Sequence, residues 1–291
     1  MQIGLIIGER DASEMTLELR FGGNILTAAR MLETELILEM TPELGDKVRL
    51  MIDGKEYFSG ILLAYRKKGK SVFIEAADKG IYLMRNYAFK EYKGTAQSIA
   101  AQVCAEFGIE TEELAKKSEN TRVISTGNKT AYQVIKTAYE GEFGERNFRI
   151  DMGEKGLVVK RLGEEEVLMQ ADIYSEEENG SIENIVNRVA ILKTNGLREK
   201  NFVQNKEERE KYGTFQRTYR EKRTRNSIAE AKKLLRSMER TGKILLPLNT
   251  EIRTGRKLIL MDKTGKTTGE FIVRSDEHIF RAGSFTTQIT F

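Results

Sequence analysis

The residues in this sequence that could do chemistry are few. The only histidine, His278, stands between Ser275-Asp276-Glu277 and Ile279-Phe280. With no plausible nucleophile beside it, such a histidine reads as structural. Cys104 is the only cysteine and falls within an apolar helical pattern, which suits a small core residue better than a thiolate nucleophile. No His-rich or Cys-rich spacing exists, so a zinc site of the usual kind is excluded. Gly265-Lys266-Thr267 looks like the end of a phosphate-binding loop. Leu260, however, occupies the position of its first glycine, and the segment reads as a hairpin turn instead of a strand-to-helix loop. Gly141 and Gly144 punctuate a helix end and make no dinucleotide fingerprint.

Charged runs are the remaining candidates. Glu164–Glu166 and Glu176–Glu178 could offer paired carboxylates for acid–base work, but runs of this kind in loop-like stretches read as solvated surface. Arg217, Arg220, Lys222, Arg223 and Arg225 are interleaved with Phe215 and Tyr219, a mixture that suits single-stranded nucleic acid. Glu221 and the nearby Glu207, Glu208 and Glu210 dilute that field. The segment therefore reads as an exposed strand leading into a helix, or as a protein-contact face, where Arg and Tyr are enriched. No catalytic, cofactor-binding or metal-binding residue is assigned, and the chain is expected not to be an enzyme.

Bulk properties narrow the class. The 291 residues suffice for two or three domains. Forty-eight basic and 44 acidic residues nearly cancel to a net charge of +4, against the clustered excess of a dedicated nucleic-acid binder. Tryptophan is absent, so no Trp-lined sugar platform is available. A single cysteine cannot form an intrachain disulfide, which points to folding in a reducing compartment. The apolar stretch from Ile3 to Ile7 is interrupted by Gly4 and too short for a signal peptide. No apolar run approaches the ~20 residues that span a bilayer. Synthesis in the cytoplasm is expected, with no membrane partner.

The elements follow from periodicity and punctuation. Thr16–Phe21 and Lys47–Ile52 alternate apolar and polar residues, as half-buried strands do. Asp53-Gly54 then predicts a type I′ hairpin into Tyr57–Tyr65, and Lys68-Gly69 a turn into Ser71–Ala76. Thr95 is a candidate N-cap for a helix carrying Ile99, Ala100, Val103 and Phe107 and ending at Gly108. Thr130 opens a second helix, expected to close at Gly141, and a hairpin of Asn147–Asp151 with Leu157–Arg161 follows. Beyond residue 166 the pattern returns to strands: Asn184–Leu192, Lys257–Met261, Glu270–Arg274 and Phe285–Phe291. A charged loop-like stretch covers Gly196 to Gly213 and is expected to order mainly on assembly. Ser227 and Glu230 predict a capping box for a helix of about 227–241. The fold class expected is α+β, mainly β. Residues 1–88 form one small β-barrel, 89–165 an α/β insert and 166–291 a second barrel module with one helix.

Three passages resemble the hub family of contractile phage-tail baseplates and tailocins, including hubs of Gram-positive defective prophages. The first is Ala77-Asp78-Lys79-Gly80-Ile81-Tyr82-Leu83-Met84 with the transition Tyr92-Lys93-Gly94-Thr95-Ala96-Gln97-Ser98-Ile99. The second is Ile182-Glu183-Asn184-Ile185-Val186-Asn187-Arg188-Val189, followed by Lys211-Tyr212-Gly213. The third runs from Gly269-Glu270-Phe271-Ile272-Val273-Arg274 through His278 to Gly283-Ser284-Phe285-Thr286-Thr287. The resemblance spans essentially the whole chain as an ordered set of degenerate motifs. It implies a homotrimer with two tail-tube-like barrels per chain, a ring of pseudo-sixfold symmetry joining a hexameric tail tube to a trimeric central spike. Implied partners are the spike, the tube or tube-initiator protein, the tape measure protein, and baseplate wedge or LysM-type proteins. The particle would assemble in a bacterial host and leave by lysis. Two other classes stay open at this stage: a small-barrel protein binding nucleic acid or polysaccharide, and a carboxylate-dependent hydrolase.

Overall fold

A computed structural model describes the chain except residues 1, 38–41, 117, 145–146, 223–225 and 282. Arg223 and Arg225 of the basic cluster therefore lie outside the described residues. The chain divides into two compact units, 1–176 with 243–291, and 177–242. It is mainly β with five α-helices among the described residues, as the alternating patterns predict.

In the first unit, antiparallel strands run in the order Glu239–Pro247, Ser284–Thr290, Ser275–Arg281, Thr16–Asn24, Met31–Ile37, Ser71–Asp78, Lys55–Lys68, Lys47–Ile52, Ile3–Ile7 and Arg10–Asp11. The N-terminal part curls until its two ends share one core: Leu5 and Ile7 from one end join Leu19 and Phe21 from the other. Asp53 and Gly54 take φ of 47° and 81° between Ile52 and Lys55, the left-handed pair of a type I′ turn. A second β core, of Ile244, Leu246, Leu258, Leu260, Ile289 and their neighbours, gathers the C-terminal strands. There Glu166–Gln170 pairs in parallel with Lys257–Met261. The ladder between Ser275–Arg281 and Thr16–Asn24 joins the strands of both cores in one sheet.

A third core belongs to the α/β insert. Helices Ala96–Glu106 and Ala131–Phe143 contribute Ile99, Val103, Cys104, Val134, Ile135 and Tyr139, and the strands Phe148–Met152 and Leu157–Arg161 close it. Thr95 caps the first helix by accepting from Ser98 N, and Gly108 follows it at φ 64°. Thr130 and Gln133 form a full capping box on the second. That helix does not end at Gly141. It continues to Phe143, and Gly144 at φ 86° stops it. Gly141 instead clears space for the Arg122 guanidinium, which donates to Ala138 O and pairs with Glu142 at 2.9 Å.

The second unit carries its own small core of Val186, Val189, Ile191, Val203 and Ala231. Two expectations fail here. The stretch Gly196 to Gly213 is not a loop but contains the strand Glu199–Gln204 and the helix Lys206–Tyr212. Only Val203 of that strand is buried, so no alternation marked it. The helix expected over 227–241 spans Ser227–Lys232 and is capped by Asn226, whose side chain accepts from Ile228 N and Ala229 N. It stops early because Arg236 exchanges both backbone hydrogen bonds with Val186, at 2.8 and 3.0 Å, drawing the chain out of the helix.

Candidate functional site

The first unit has charge where its β cores meet. Along Ser275–Arg281 the period of two turns Asp276, His278 and Phe280 inward, and all three are buried. Asp276 Oδ1 accepts from Arg30 Nη1 at 3.1 Å and from Thr254 N and Oγ1, both at 2.7 Å. Its Oδ2 accepts from Arg30 Nη2 at 2.5 Å. Burial alone would raise the Asp276 carboxyl, but the guanidinium and the neighbouring imidazole hold it well below the usual carboxylate range. The main-chain N of Arg30 donates to Asp78 Oδ2 at 3.1 Å, and Gly80 N donates to Asp78 Oδ1 at 2.9 Å.

His278 has no exposed surface. Its Nδ1 lies 3.0 Å from Thr287 Oγ1. Its Nε2 lies 3.2 Å from Asp276 Oδ2, within ion-pair range but off the hydrogen-bond axis. Burial pushes the imidazole down, against the pull of Asp276, so it is neutral at pH 7. Thr287 Oγ1 accepts from Asn249 N at 2.9 Å and lies 3.4 Å from Asn249 O, so its single proton serves either that carbonyl or the imidazole Nδ1. Hydroxyl, imidazole and carboxylate thus stand in the order of a nucleophilic triad. All three are closed to solvent, with Thr287 also wholly buried. The Phe21 ring lies 4.7 Å from the imidazole.

Thr254 links this cluster to another. Its carbonyl accepts from Arg149 Nη1 at 2.8 Å, and Arg149 Nη2 donates to Glu165 at 2.5 Å. Glu165 also receives Lys160 at 2.7 Å and Arg256 at 3.2 Å. The run Glu164–Glu166 is therefore not simply solvated surface, since its middle residue ties the insert to the C-terminal strands. Nothing in the local sequence signals Arg30, Asp78, Arg149 or Glu165 as network members. The spacing of Asp276 and His278, two apart on one strand, was a usable sign of a shared inward face.

Beside the network opens a cavity of about 460 Å³, lined by Lys55, Tyr57, Asp78, Lys79 and Arg253 among others. Its rim charges are paired, Lys55 with Glu154 at 3.0 Å and Arg256 with Glu251 at 3.1 Å. Burial pushes the Asp78 carboxyl up to about 7, against its two backbone donors. Between 3.8 and about 7 the folded protein keeps a proton there that the unfolded chain releases, so this group's contribution to stability falls as pH rises. His278 acts oppositely: below 6.5 the unfolded chain takes up a proton that the buried ring refuses. Asp78→Asn removes only the first dependence. Its stability relative to the parent should climb from pH 4 to pH 7 by about 1.4 kcal/mol per pH unit, read from urea midpoints. Parallel pH profiles would remove Asp78 from this account.

The other sequence candidates are spread apart. Cys104 is buried in the insert core, and desolvation pushes its thiol up to about 12, away from thiolate chemistry. Gly265-Lys266-Thr267 lies in the turn between Lys257–Met261 and Thr267–Ile272, with Asp262 accepting from the amides of Thr264 and Lys266. Glu176–Glu178 sit on the wholly exposed strand Ser175–Ser181. Arg217 and Arg220 are exposed on the strand Gln216–Arg220, while Tyr219 packs against the core of the second unit. Among the described residues no three His, Cys, Asp or Glu side chains gather as a metal site, and no helix is long and apolar enough to cross a membrane.

Over residues 19–291 the sequence matches a family described as YQBQ-like. No curated protein matches it by sequence. In fold it is similar to the 43 kDa tail protein of prophage MuSo2 from Shewanella oneidensis, with a TM-score of 0.76 and 13% identity over 100% of this chain and 98% of that one. A tail protein from Neisseria meningitidis MC58 gives a TM-score of 0.72 at 15% identity, over 99% and 95%. The E. coli c3393 protein gives 0.55 at 8% identity, over 98% and 75%. It is described as a component of the type VI secretion system similar in structure to T4 bacteriophage tail proteins gp27 and gp5. The fold is thus that of prophage and phage tail proteins.

Proposed function

The chain belongs to the YQBQ-like family, and from that premise we propose that it is the central hub of a contractile-tail baseplate. Three copies form a ring that joins the hexameric tail tube to the trimeric central spike. The observation that carries this reading is the likeness in fold to the two tail proteins, which takes in at least 99% of this chain and at least 95% of each of theirs.

The architecture suits the role. Two β cores in one chain, locked into one sheet by the ladder of Ser275–Arg281 with Thr16–Asn24, present six similar modules when three chains meet. Residues 1–88 and 166–291 supply those modules, and 89–165 projects from them as the insert. Closed symmetry also pairs strand edges that a monomer leaves open. The role is structural rather than enzymatic. The spike, the tube or its initiator, the tape measure and the wedge or LysM-type proteins are its partners, within a particle assembled in the host and released by lysis.

Electron microscopy of the purified protein tests this directly. Rings with threefold symmetry and six peripheral densities are expected, and co-purification with spike or tube subunits. A monomer that binds oligonucleotides with steep salt dependence would instead support the small-barrel binding class.

A further inference from the structure

Two strand edges are open and carry opposite charge. Among the described strands Ser175–Ser181 pairs on one side only, with Glu239–Pro247, and ends its sheet. All seven of its residues are exposed. Glu176 and Glu178 point to one face and Glu177 to the other. Gln216–Arg220 likewise ends its three-stranded sheet, pairing in parallel with Arg188–Leu192 and leaving its outer edge unpaired among the described strands. It carries Arg217 and Arg220 on opposite faces, with exposed Lys222 just beyond. Glu178 reaches Arg240 only at 3.8 Å, and Arg217 and Arg220 form no ion pair among the described residues.

Resting on the hub reading, we propose that the chain assembles by strand addition, Ser175–Ser181 of one copy pairing with Gln216–Arg220 of the next. An exposed edge with unpaired amides and carbonyls is a template for another strand. Charge decides which strand it accepts. Each edge bears its charge on both faces, so an acidic strand beside a basic one brings unlike side chains together above and below the sheet. Either strand pairing with its own copy sets like charges opposite each other, which disfavours the twofold arrangement. What remains is a head-to-tail interface, the only kind from which a closed three-membered ring can be built. The basic cluster is then a contact face for a second copy rather than for nucleic acid.

Charge exchange tests it. One variant carries Glu176→Lys, Glu177→Lys and Glu178→Lys, a second Arg217→Glu, Arg220→Glu and Lys222→Glu, and a third all six. Sedimentation should show the parent as a trimer, each half-exchanged variant as a monomer with an unchanged melting temperature, and the six-fold exchange as a trimer again. Hydrogen exchange on the unaltered protein gives a second reading that needs no variant to fold. Amides of 175–181 and 216–220 should be protected in the trimer and exchange freely on dilution to monomer. Half-exchanged variants that still trimerise, or strands that stay unprotected in the parent trimer, overturn the strand pairing and leave the hub reading standing. Protection that arises only when another tail protein binds also overturns it. A parent that stays monomeric at every concentration overturns the hub reading itself, and this inference with it.

Discussion

Replacing Arg30 with methionine should lower folding stability by about 3–5 kcal/mol, measured by urea unfolding. The methionine fills much of the same volume, so the loss isolates the charge. Asp276 is left buried, ionised and without its two guanidinium bonds, and the solvent that would compensate is excluded. Breaking one partner of a buried pair is far more costly than replacing both. The double variant Arg30→Met with Asp276→Asn should therefore be more stable than Arg30→Met alone, because the neutral amide oxygen still accepts from Thr254. The pH dependence has a definite sign. In the parent, the depressed Asp276 ionisation adds stability that is present above about 3.8 and lost as pH falls. Without Arg30 that contribution is gone, so the penalty should be largest near neutral pH and shrink in acid, where a protonated Asp276 needs no cation. A loss under about 1 kcal/mol at pH 7 would mean that the network packs but does not hold.

The sequence made some of this legible, and the division is physical. Elements whose signals are local came through: the Asp53-Gly54 turn needs two left-handed residues, and the Thr95 and Thr130 caps need a hydroxyl beside orphan amides. The alternation in Phe285–Phe291 and its inward Thr287 and Ile289 were equally plain. Elements set by distant pairing did not come through. Glu199–Gln204 is a strand because Arg188–Leu192 lies beside it, and its exposed polar residues carry no period of their own. The 227–241 helix was overestimated because its apolar spacing continues past Lys232, whereas the bridge of Arg236 to Val186 ends it. The candidate site was the least readable part. Arg30 meets Asp276 across 246 positions of sequence, and nothing near Arg30 marks it as the partner of a buried carboxylate. Gly22 and Gly23, where Thr16–Asn24 runs beside Ser275–Arg281, drew no reading from the sequence at all.

That pair of glycines sets the last expectation. In the ladder Gly22 lies opposite Glu277 and Gly23 opposite Asp276, and a Cβ on Gly22 would overlap the main-chain oxygen of Asp276. A flexible side chain could move away, but a strand paired on both edges cannot, since Ser275–Arg281 is also tied to Ser284–Thr290. Gly22→Ala should therefore reach or exceed the upper end of the about 1–3 kcal/mol that overpacking usually costs. Gly180→Ala, with open space around its Cβ, should change stability by under about 0.5 kcal/mol. The displaced strand carries Asp276 and His278, so the substitution also pulls the carboxylate from Arg30. The two lesions then share one mechanism. Gly22→Ala combined with Arg30→Met should lose clearly less than the sum of the separate losses, by at least about 1 kcal/mol in a double-mutant cycle. Simple additivity would show that the ladder and the ion pair hold the two β cores together independently. Coupling would make the junction one mechanical part, in which the ladder and the buried ion pair stand or fall together.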